Sequence, residues 1–289
     1  MPVVVTGASG RIGRVLTPLL AERGEVRAIV REEAAAEVLR AAGAKVAVTS
    51  LYDSAVLRAI LDGAHTVIHL AGDMNLPDAA AYETSNVETT REVLEAATEA
   101  SIARVLLLSY PGASASSSNA FLRAKGLAEE AVEATGLDHL ILRCTHVSGP
   151  GQRWLEDLRA SIARPLVVPV VGSGGQRVAP VHVRDVVTAL VVADDRSEPI
   201  SGTLALQGPL SAPMDDLVDL VAGRSRRKIH LPSRSAGRAT RLFGRPMHPT
   251  FLELLANDCE ADARDAAGEL GLAVSPFEDG LVGVTDTPV

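Results

Sequence analysis

Glycines at 7, 10 and 13 punctuate Thr6-Gly7-Ala8-Ser9-Gly10-Arg11-Ile12-Gly13, between a run of valines and a segment of helical period. At such a strand–turn–helix junction the backbone can turn sharply, approach a diphosphate closely and pack the helix onto a sheet. The free N–H groups and the positive end of the helix then favour phosphate. This predicts a dinucleotide site built from Gly7, Ser9, Gly10, Arg11, Ile12 and Gly13. The next apolar run, Val26-Arg27-Ala28-Ile29-Val30, ends at Arg31 with no acid at 29–31. An acid there would take the ribose hydroxyls of NAD, whereas a guanidinium pairs with the 2′-phosphate of NADP. Arg31 therefore predicts NADPH, with Arg11 as a second contact and NADH tolerated. The plain alternative is a solvated charge before a helix.

These residues need a sheet to hold them. Short β-branched runs at 2–6, 25–30, 45–48, 65–70, 104–109 and 139–143 alternate with helical stretches at 11–23, 32–42, 54–61, 81–100 and 119–135. Alternation of this kind, with strands apolar almost throughout, predicts an α/β protein with a doubly wound parallel sheet buried on both faces. Ligands should bind beyond the carboxyl ends of its strands. After Gly149-Pro150-Gly151 the pattern loosens. Helices are expected at 154–163, 185–193, 214–222, 235–243, 250–256 and 261–270, and strands at 166–170, 177–183, 202–207 and 228–231. Residues 1–150 thus read as the dinucleotide-binding core. Residues 151–289 read as a smaller C-terminal substrate lobe interleaved with it.

Composition narrows the classes. The 289 residues are 47% hydrophobic and 22% charged, which suits a globular chain rather than a disordered or fibrous one. A net charge of −8 argues against a general nucleic-acid or anionic-membrane binder. Two cysteines are too few for a disulfide framework or a zinc site, so no metal is expected. No apolar stretch approaches the roughly 20 residues of a membrane span, and no signal peptide is visible. The expectation is a cytoplasmic protein, monomeric or homodimeric. Of 28 basic residues only Lys45, Lys125 and Lys228 are lysines, so a lysine inside a motif stands out.

With these elements placed, the chain resembles the short-chain dehydrogenase/reductase superfamily, in its extended and atypical branches, over about residues 2–195. TGASGRIG is similar to that family's TGxxGxxG. Val67-Ile68-His69-Leu70-Ala71-Gly72 resembles the fourth-strand motif that lines the cofactor, which implies Leu70, Ala71 and Gly72 as contacts. Asn86-Val87-Glu88-Thr89-Thr90 is similar to NVxGT, and Pro180-Val181-His182-Val183-Arg184-Asp185-Val186 to PVHVxDV. Leu142-Arg143-Cys144 through Gly149-Pro150-Gly151 resembles LRP…GPG, with Cys144 in place of the proline. The pattern at 253–271 resembles the branch containing the complex I accessory subunit.

The resemblance implies a Rossmann fold and a hydride-transferring enzyme. In that superfamily a tyrosine four residues before a lysine protonates the carbonyl, the lysine holds the ribose and a serine touches the substrate oxygen. Here the resemblance implies Lys125 as ribose anchor and Ser109 as the serine, but Phe121 occupies the tyrosine's place. Phenylalanine has no proton to give. His146 falls where the resemblance puts the nicotinamide, and imidazole titrates near neutral pH, so it joins Ser109 and Lys125 as a catalytic candidate. Tyr110 adjoins Ser109, but neighbouring strand residues point to opposite faces. His69 and His182 read as packing histidines. A third route is a phenol beside the ketone of the substrate itself, under which Tyr110→Phe and His146→Ala keep most turnover.

That route resembles the tyrosine-free ketoreductases of angucyclinone pathways. The leading expectation is an NAD(P)H-dependent ketoreductase acting on an aromatic polyketide ketone in antibiotic biosynthesis. A non-catalytic NADP(H)-binding sensor or assembly protein is the alternative, and a sugar-nucleotide epimerase or dehydratase the weaker one. Between 224 and 245 lie Arg224, Arg226, Arg227, Lys228, Arg234, Arg238, Arg241 and Arg245 with no acid among them. A solvated helix face is the first reading, a lid near 232–256 the second, a nucleic-acid patch the third.

Overall fold

The computed structural model describes residues 1–164, 166–199, 201–242 and 247–281, with 238–242 described as backbone. The first half runs β1 (Val3–Thr6), α1 (Gly13–Ala21), β2 (Val26–Val30), α2 (Glu33–Ala41), β3 (Lys45–Val48), α3 (Ser54–Leu61) and β4 (Thr66–His69). It continues through α4 (Ala79–Tyr82), a π-type turn (Glu83–Glu88), α5 (Thr89–Glu99), β5 (Arg104–Ser109), α6 (Ala120–Ala134) and β6 (Asp138–Cys144). The second half runs β7 (Val147–Ser148), α7 (Arg153–Ile162), β8 (Val168–Val171), β9 (Arg177–Val178), β10 (Val181–His182), α8 (Val183–Asp195) and β11 (Gly202–Leu206). It ends with β12 (Ala212–Pro213), α9 (Met214–Ala222), β13 (Lys228–Leu231), α10 (Ser233–Leu242), α11 (Pro249–Leu255), β14 (Arg264–Asp265), α12 (Ala266–Leu270) and a 3-10 turn (Phe277–Leu281).

Eight parallel strands form one sheet in the order β14-β11-β6-β5-β4-β1-β2-β3. The chain leaves β1 toward β2 and β3 and then returns to β4 on the other side. This reversal opens a crevice beyond Thr6 and His69, which are paired in register. Alternation along the strands feeds two layers. Val3 and Val5 pack with Leu16 and Leu20 of α1 and with Val186 and Leu190 of α8. Val4 packs with Leu57, Leu61 and Val93 of α3 and α5 on the opposite face. Leu107 and Ile141 pack with Ala128 and Val132 of α6 on their own flank. The inner strands β1, β2, β4 and β5 are buried on both sides, which is why their sequences are apolar almost throughout. The edge strands β3 and β14 are more open.

The second half both completes the sheet and stands beyond it. β11 and β14 extend the sheet past β6, while β8 pairs with β13 and β9 with β12 outside it. Three local expectations change. The helix expected over 81–100 is broken by the π-type turn. There the hydroxyls of Thr89 and Thr90 donate to the carbonyls of Ser85 and Asn86 at 2.8 and 2.6 Å, drawing ladder acceptors aside. The strand expected over 177–183 is two short strands separated by Ala179-Pro180, since proline has no N–H for a ladder. The helix expected over 261–270 begins only at Ala266, where the Asp265 carboxylate caps it, and Arg264–Asp265 pairs with β11 instead.

Candidate functional site

A cavity of about 410 Å³ lies beyond the carboxyl ends of β1, β4, β5 and β6. Gly7, Gly10, Arg11, Ile12 and Gly13 line one end of it. Gly7 has φ +64°, and a Cβ there would lie 2.7 Å from the backbone of Leu70 and Ala71. A Cβ at Gly13 would lie 2.6 Å from the Gly7 carbonyl. The glycines therefore let the end of β1, the end of β4 and the start of α1 meet. The N-terminus of α1 has no side-chain cap and no acid in its first turn. Its positive end and free N–H groups suit a diphosphate, so these residues fit a dinucleotide.

Leu70, Ala71 and Gly72 line the cavity from the end of β4. Ser9 lies beside the turn, where its carbonyl accepts from Arg14 Nε at 2.8 Å. Arg31 stands exposed just past β2, next to the glycine turn by register, since Thr6 pairs with Ile29. Arg11 has taken protein partners. Its guanidinium donates to the Gly151 carbonyl and pairs with Glu156 of α7 at 2.9 Å. It thus bridges the glycine turn to the second half of the chain.

Lys125 also lines the cavity, from the buried face of α6. Its Nζ donates to the Leu108 carbonyl at 2.6 Å. Burial lowers its pKa to about 8, and the Glu129 carboxylate works against that shift. Behind it sits His69, between Thr6 Oγ1 at 2.7 Å and Thr90 Oγ1 at 3.0 Å. Burial, and then the Lys125 charge, bring His69 down to about 3, so it is a neutral packing group. His182 caps α8, its Nδ1 accepting from the Arg184 N–H at 3.1 Å. Ser109 lines the cavity, but its hydroxyl donates to Glu129. Glu129 is held in turn by Arg143 at 2.6 Å, and Arg143 by Asp262 at 2.9 Å. The Ser109 hydroxyl would have to leave this network to meet a ligand.

The far wall is aromatic. Phe121 takes Tyr110 edge-on at a centroid distance of 5.6 Å and Tyr82 at 6.0 Å. His146 stacks on Trp154 at 5.2 Å and 15°, and Trp154 meets Phe277 edge-on at 6.4 Å. Tyr110 and His146 lie on one ring path, the Tyr110 hydroxyl being 3.2 Å from His146 Nδ1 and 3.1 Å from Cys259 Sγ. Burial lowers His146 to about 4 and pushes the Tyr110 phenol well above its ordinary value. Ser109 and Tyr110 turn in opposite directions, one to α6 and the other to His146, as strand alternation requires.

His146, Trp154 and Phe251 also line a second cavity of about 190 Å³. Leu158, Val170, Val218, Leu231 and Leu255 make its walls mainly apolar, between α7, the β8–β13 pair, α9 and α11, with Asp157, Ser161 and Arg164 also in the lining. Of the basic segment, Arg226 donates to the Ile162 and Arg164 carbonyls, and Lys228 pairs with Asp219 at 2.7 Å. These cations fasten the second half to itself, while Arg234 is exposed. The side chains of Arg238 and Arg241, and Arg245 itself, fall outside the described residues. Cys259 was missed as a site residue, because 149 positions separate it from Tyr110 and no local pattern links them. Among the described residues, no group of His, Cys, Asp or Glu is arranged to hold a metal, and no helix is long and apolar enough to cross a membrane.

The sequence profile of the NAD(P)H-binding family matches residues 7–153, the span that builds the first cavity, and the chain belongs to that family. Within it, the chain sits in the atypical short-chain dehydrogenase/reductase-like superfamily. It is 33% identical over 190 residues to the ceramide reductase of Caulobacter vibrioides, covering 65% of this chain and 59% of that protein. It is 31% identical over 214 residues to subunit 9 of the mitochondrial NADH dehydrogenase (ubiquinone) 1 alpha subcomplex of Arabidopsis thaliana, covering 71% of this chain and 53% of that one. The chain thus spans little more than half the length of these curated relatives. Among solved structures, the UDP-glucuronic acid 4-epimerase of Bacillus cereus superposes with a TM-score of 0.75 at 20% identity, over 97% of this chain and 96% of that one. That likeness concerns the fold alone.

Proposed function

We propose that this protein is an NADPH-dependent ketoreductase that reduces a ketone on an apolar, ring-bearing substrate of the aromatic polyketide kind, as in antibiotic biosynthesis. The observation that carries the reading is the second, mainly apolar cavity, which shares His146, Trp154 and Phe251 with the first. A sugar nucleotide would need many polar partners, and beside His146, Asp157, Ser161 and Arg164 these walls are hydrocarbon and aromatic. A flat hydrocarbon framework suits Trp154 and Phe251. The reductase name of the Caulobacter relative points the same way.

A reduced nicotinamide, when bound, supplies the hydride. The chain's own residues bind and orient. The glycine turn and the α1 N-terminus receive the diphosphate, Arg31 pairs with a 2′-phosphate, and Lys125 donates to the ribose. The aromatic wall makes the surroundings of the reacting centre less polar and so strengthens the electrostatic contacts there. Residues 151–289 act as the substrate lobe, with α10 and α11 as the covering elements.

One observation favours a second reading, a nucleotide-binding sensor or assembly protein: Lys125 and Ser109 both have internal partners, and Phe121 carries no proton. NADPH consumption decides between them. Hydroxylated angular polyketide quinones should be reduced to the alcohol, with UDP-sugars unchanged. Tight NADPH binding without turnover on any ketone would leave the sensor reading.

A further inference from the structure

Phe121 leaves the carbonyl oxygen without the hydrogen-bond donor that the family places there. We propose that His146 is the donor, presenting Nε2–H to the substrate's carbonyl oxygen, and that Tyr110 and Cys259 are positioning residues that fix this tautomer. The proposal rests on the ketoreductase reading and names a residue that reading leaves open.

The geometry starts with the backbone. The His146 carbonyl accepts from the Val181 N–H at 3.0 Å, which ties the loop after β6 to β10. The ring is then held on two sides, stacked on Trp154 at 5.2 Å and tilted against Tyr110 at 5.9 Å. Only two polar atoms of the ring need partners. Nδ1 has the Tyr110 hydroxyl at 3.2 Å. Nε2 has no hydrogen-bond partner among the described residues, yet it is not one of the sealed, unpartnered atoms. In a ring that lines both cavities, that leaves Nε2 opening on them.

Which nitrogen carries the proton follows from acceptor strength. The Tyr110 oxygen lies between Cys259 Sγ at 3.1 Å and Nδ1. Sulfur is a weak acceptor, whereas an imidazole nitrogen is a strong one. The thiol therefore donates to the phenol oxygen and the phenol donates to Nδ1. A neutral imidazole has one N–H, so it stands on Nε2. Burial keeps the ring neutral down to about pH 4. A neutral ring bonded through Nδ1 can give a hydrogen bond to an oxygen that is gaining charge. With the opposite tautomer, Nε2 would turn a lone pair toward the carbonyl oxygen and repel it.

In the reaction the hydride adds to the carbonyl carbon and the carbonyl π pair moves to oxygen. The Nε2–H holds the resulting alkoxide. Water then protonates it, and hydroxide passes to solvent. His146 keeps its proton throughout, so neither Tyr110 nor Cys259 has to ionise in a buried site.

Two measurements test this. Nitrogen-15 histidine spectra of the protein alone should show His146 as the Nε2–H tautomer at pH 7, and Tyr110→Phe should convert it to a mixture. Wild-type His146 in the Nδ1–H form overturns the proposal. In steady state, His146→Phe keeps the stack on Trp154 but removes the N–H. It should lower kcat by about 10²-fold, as loss of one oxyanion donor does, with KM within about threefold. Tyr110→Phe should lower kcat by about tenfold. If His146→Phe keeps more than about a third of kcat while the wild type is active, the donor role is overturned and the reductase reading stands, with a substrate phenol at the oxygen. If the wild type reduces no ketone, the reductase reading itself fails and this role falls with it.

Discussion

Replacing Lys125 by methionine should make the protein more stable and a worse cofactor binder at the same time. The side chain lies in the core face of α6, 7% exposed, with one carbonyl partner. Burial brings its pKa from 10.5 to about 8, a difference worth about 3 kcal/mol. Below pH 8 the amine is charged in both the folded and the unfolded chain, so the folded protein bears the full cost. Between pH 8 and 10.5 the folded form releases its proton first. The unfolded chain then binds more protons, and stability rises with pH. Above 10.5 the cost is gone. Methionine keeps the stem and removes the charge, at the loss of one hydrogen bond worth about 1 kcal/mol. Lys125→Met should therefore gain about 2 kcal/mol in urea unfolding at pH 7. By pH 10.5 the gain should have vanished. Losing a charged donor to the ribose should weaken NADPH binding by about 10- to 100-fold. A destabilised variant at pH 7, or a difference that does not change with pH, would refute the reasoning on burial. Unchanged NADPH affinity would refute the ribose contact.

Three further outcomes follow from the same geometry. Arg31→Asp should lower NADPH affinity relative to NADH by about 10²-fold in a fluorescence titration, by removing a charge-assisted bond and adding a repulsion; an unaltered ratio removes Arg31 from the site. Gly13→Ala puts a Cβ 2.6 Å from the Gly7 carbonyl and 2.7 Å from the Ala8 Cα, backbone that has nowhere to go. It should cost about 1–3 kcal/mol in thermal unfolding and abolish cofactor binding; wild-type affinity would mean that the turn is not the diphosphate site. Leu231→Arg puts a charge at a half-buried position on the apolar cavity. It should raise KM for a ring ketone about tenfold or more, the transfer energy of a side chain's worth of apolar contact, and leave NADPH affinity alone. Equal KM would place the substrate elsewhere.

The sheet was legible because its inner strands are buried on both faces, so that runs such as Val3-Val4-Val5 and Val105-Leu106-Leu107 stand out against the helical segments around them. The glycine turn was legible because its backbone conformations demand glycine at fixed offsets. What the sequence hid is whatever depends on register or on partners far along the chain. Nothing local shows that Thr6 and His69 are paired across β1 and β4, or that Thr90 closes the other side of the ring. Ser109 reads as a free hydroxyl until Glu129 on α6 takes it. Two-residue strands such as β14 lie below the reach of any periodicity, since alternation needs several residues to show itself.

The aromatic residues show the same division between composition and tertiary placement. The chain has only four Phe, three Tyr and one Trp, so most of its core has to be aliphatic. Leucine, isoleucine and valine do fill the sheet layers. Tyr110, Phe121, Trp154 and Phe251 instead line the nucleotide cavity, with Tyr82 and Phe277 packed edge-on behind them. Rings concentrated at a cleft, in a protein whose sheet layers are aliphatic, offer flat apolar surface where a ligand's rings can lie. Phe121 belongs to that wall, its ring setting the Tyr110 ring that reaches His146. On this view the residue that stands in the place of the family's proton donor also helps aim the His146 hydrogen-bond donor, and the two features should change together or not at all.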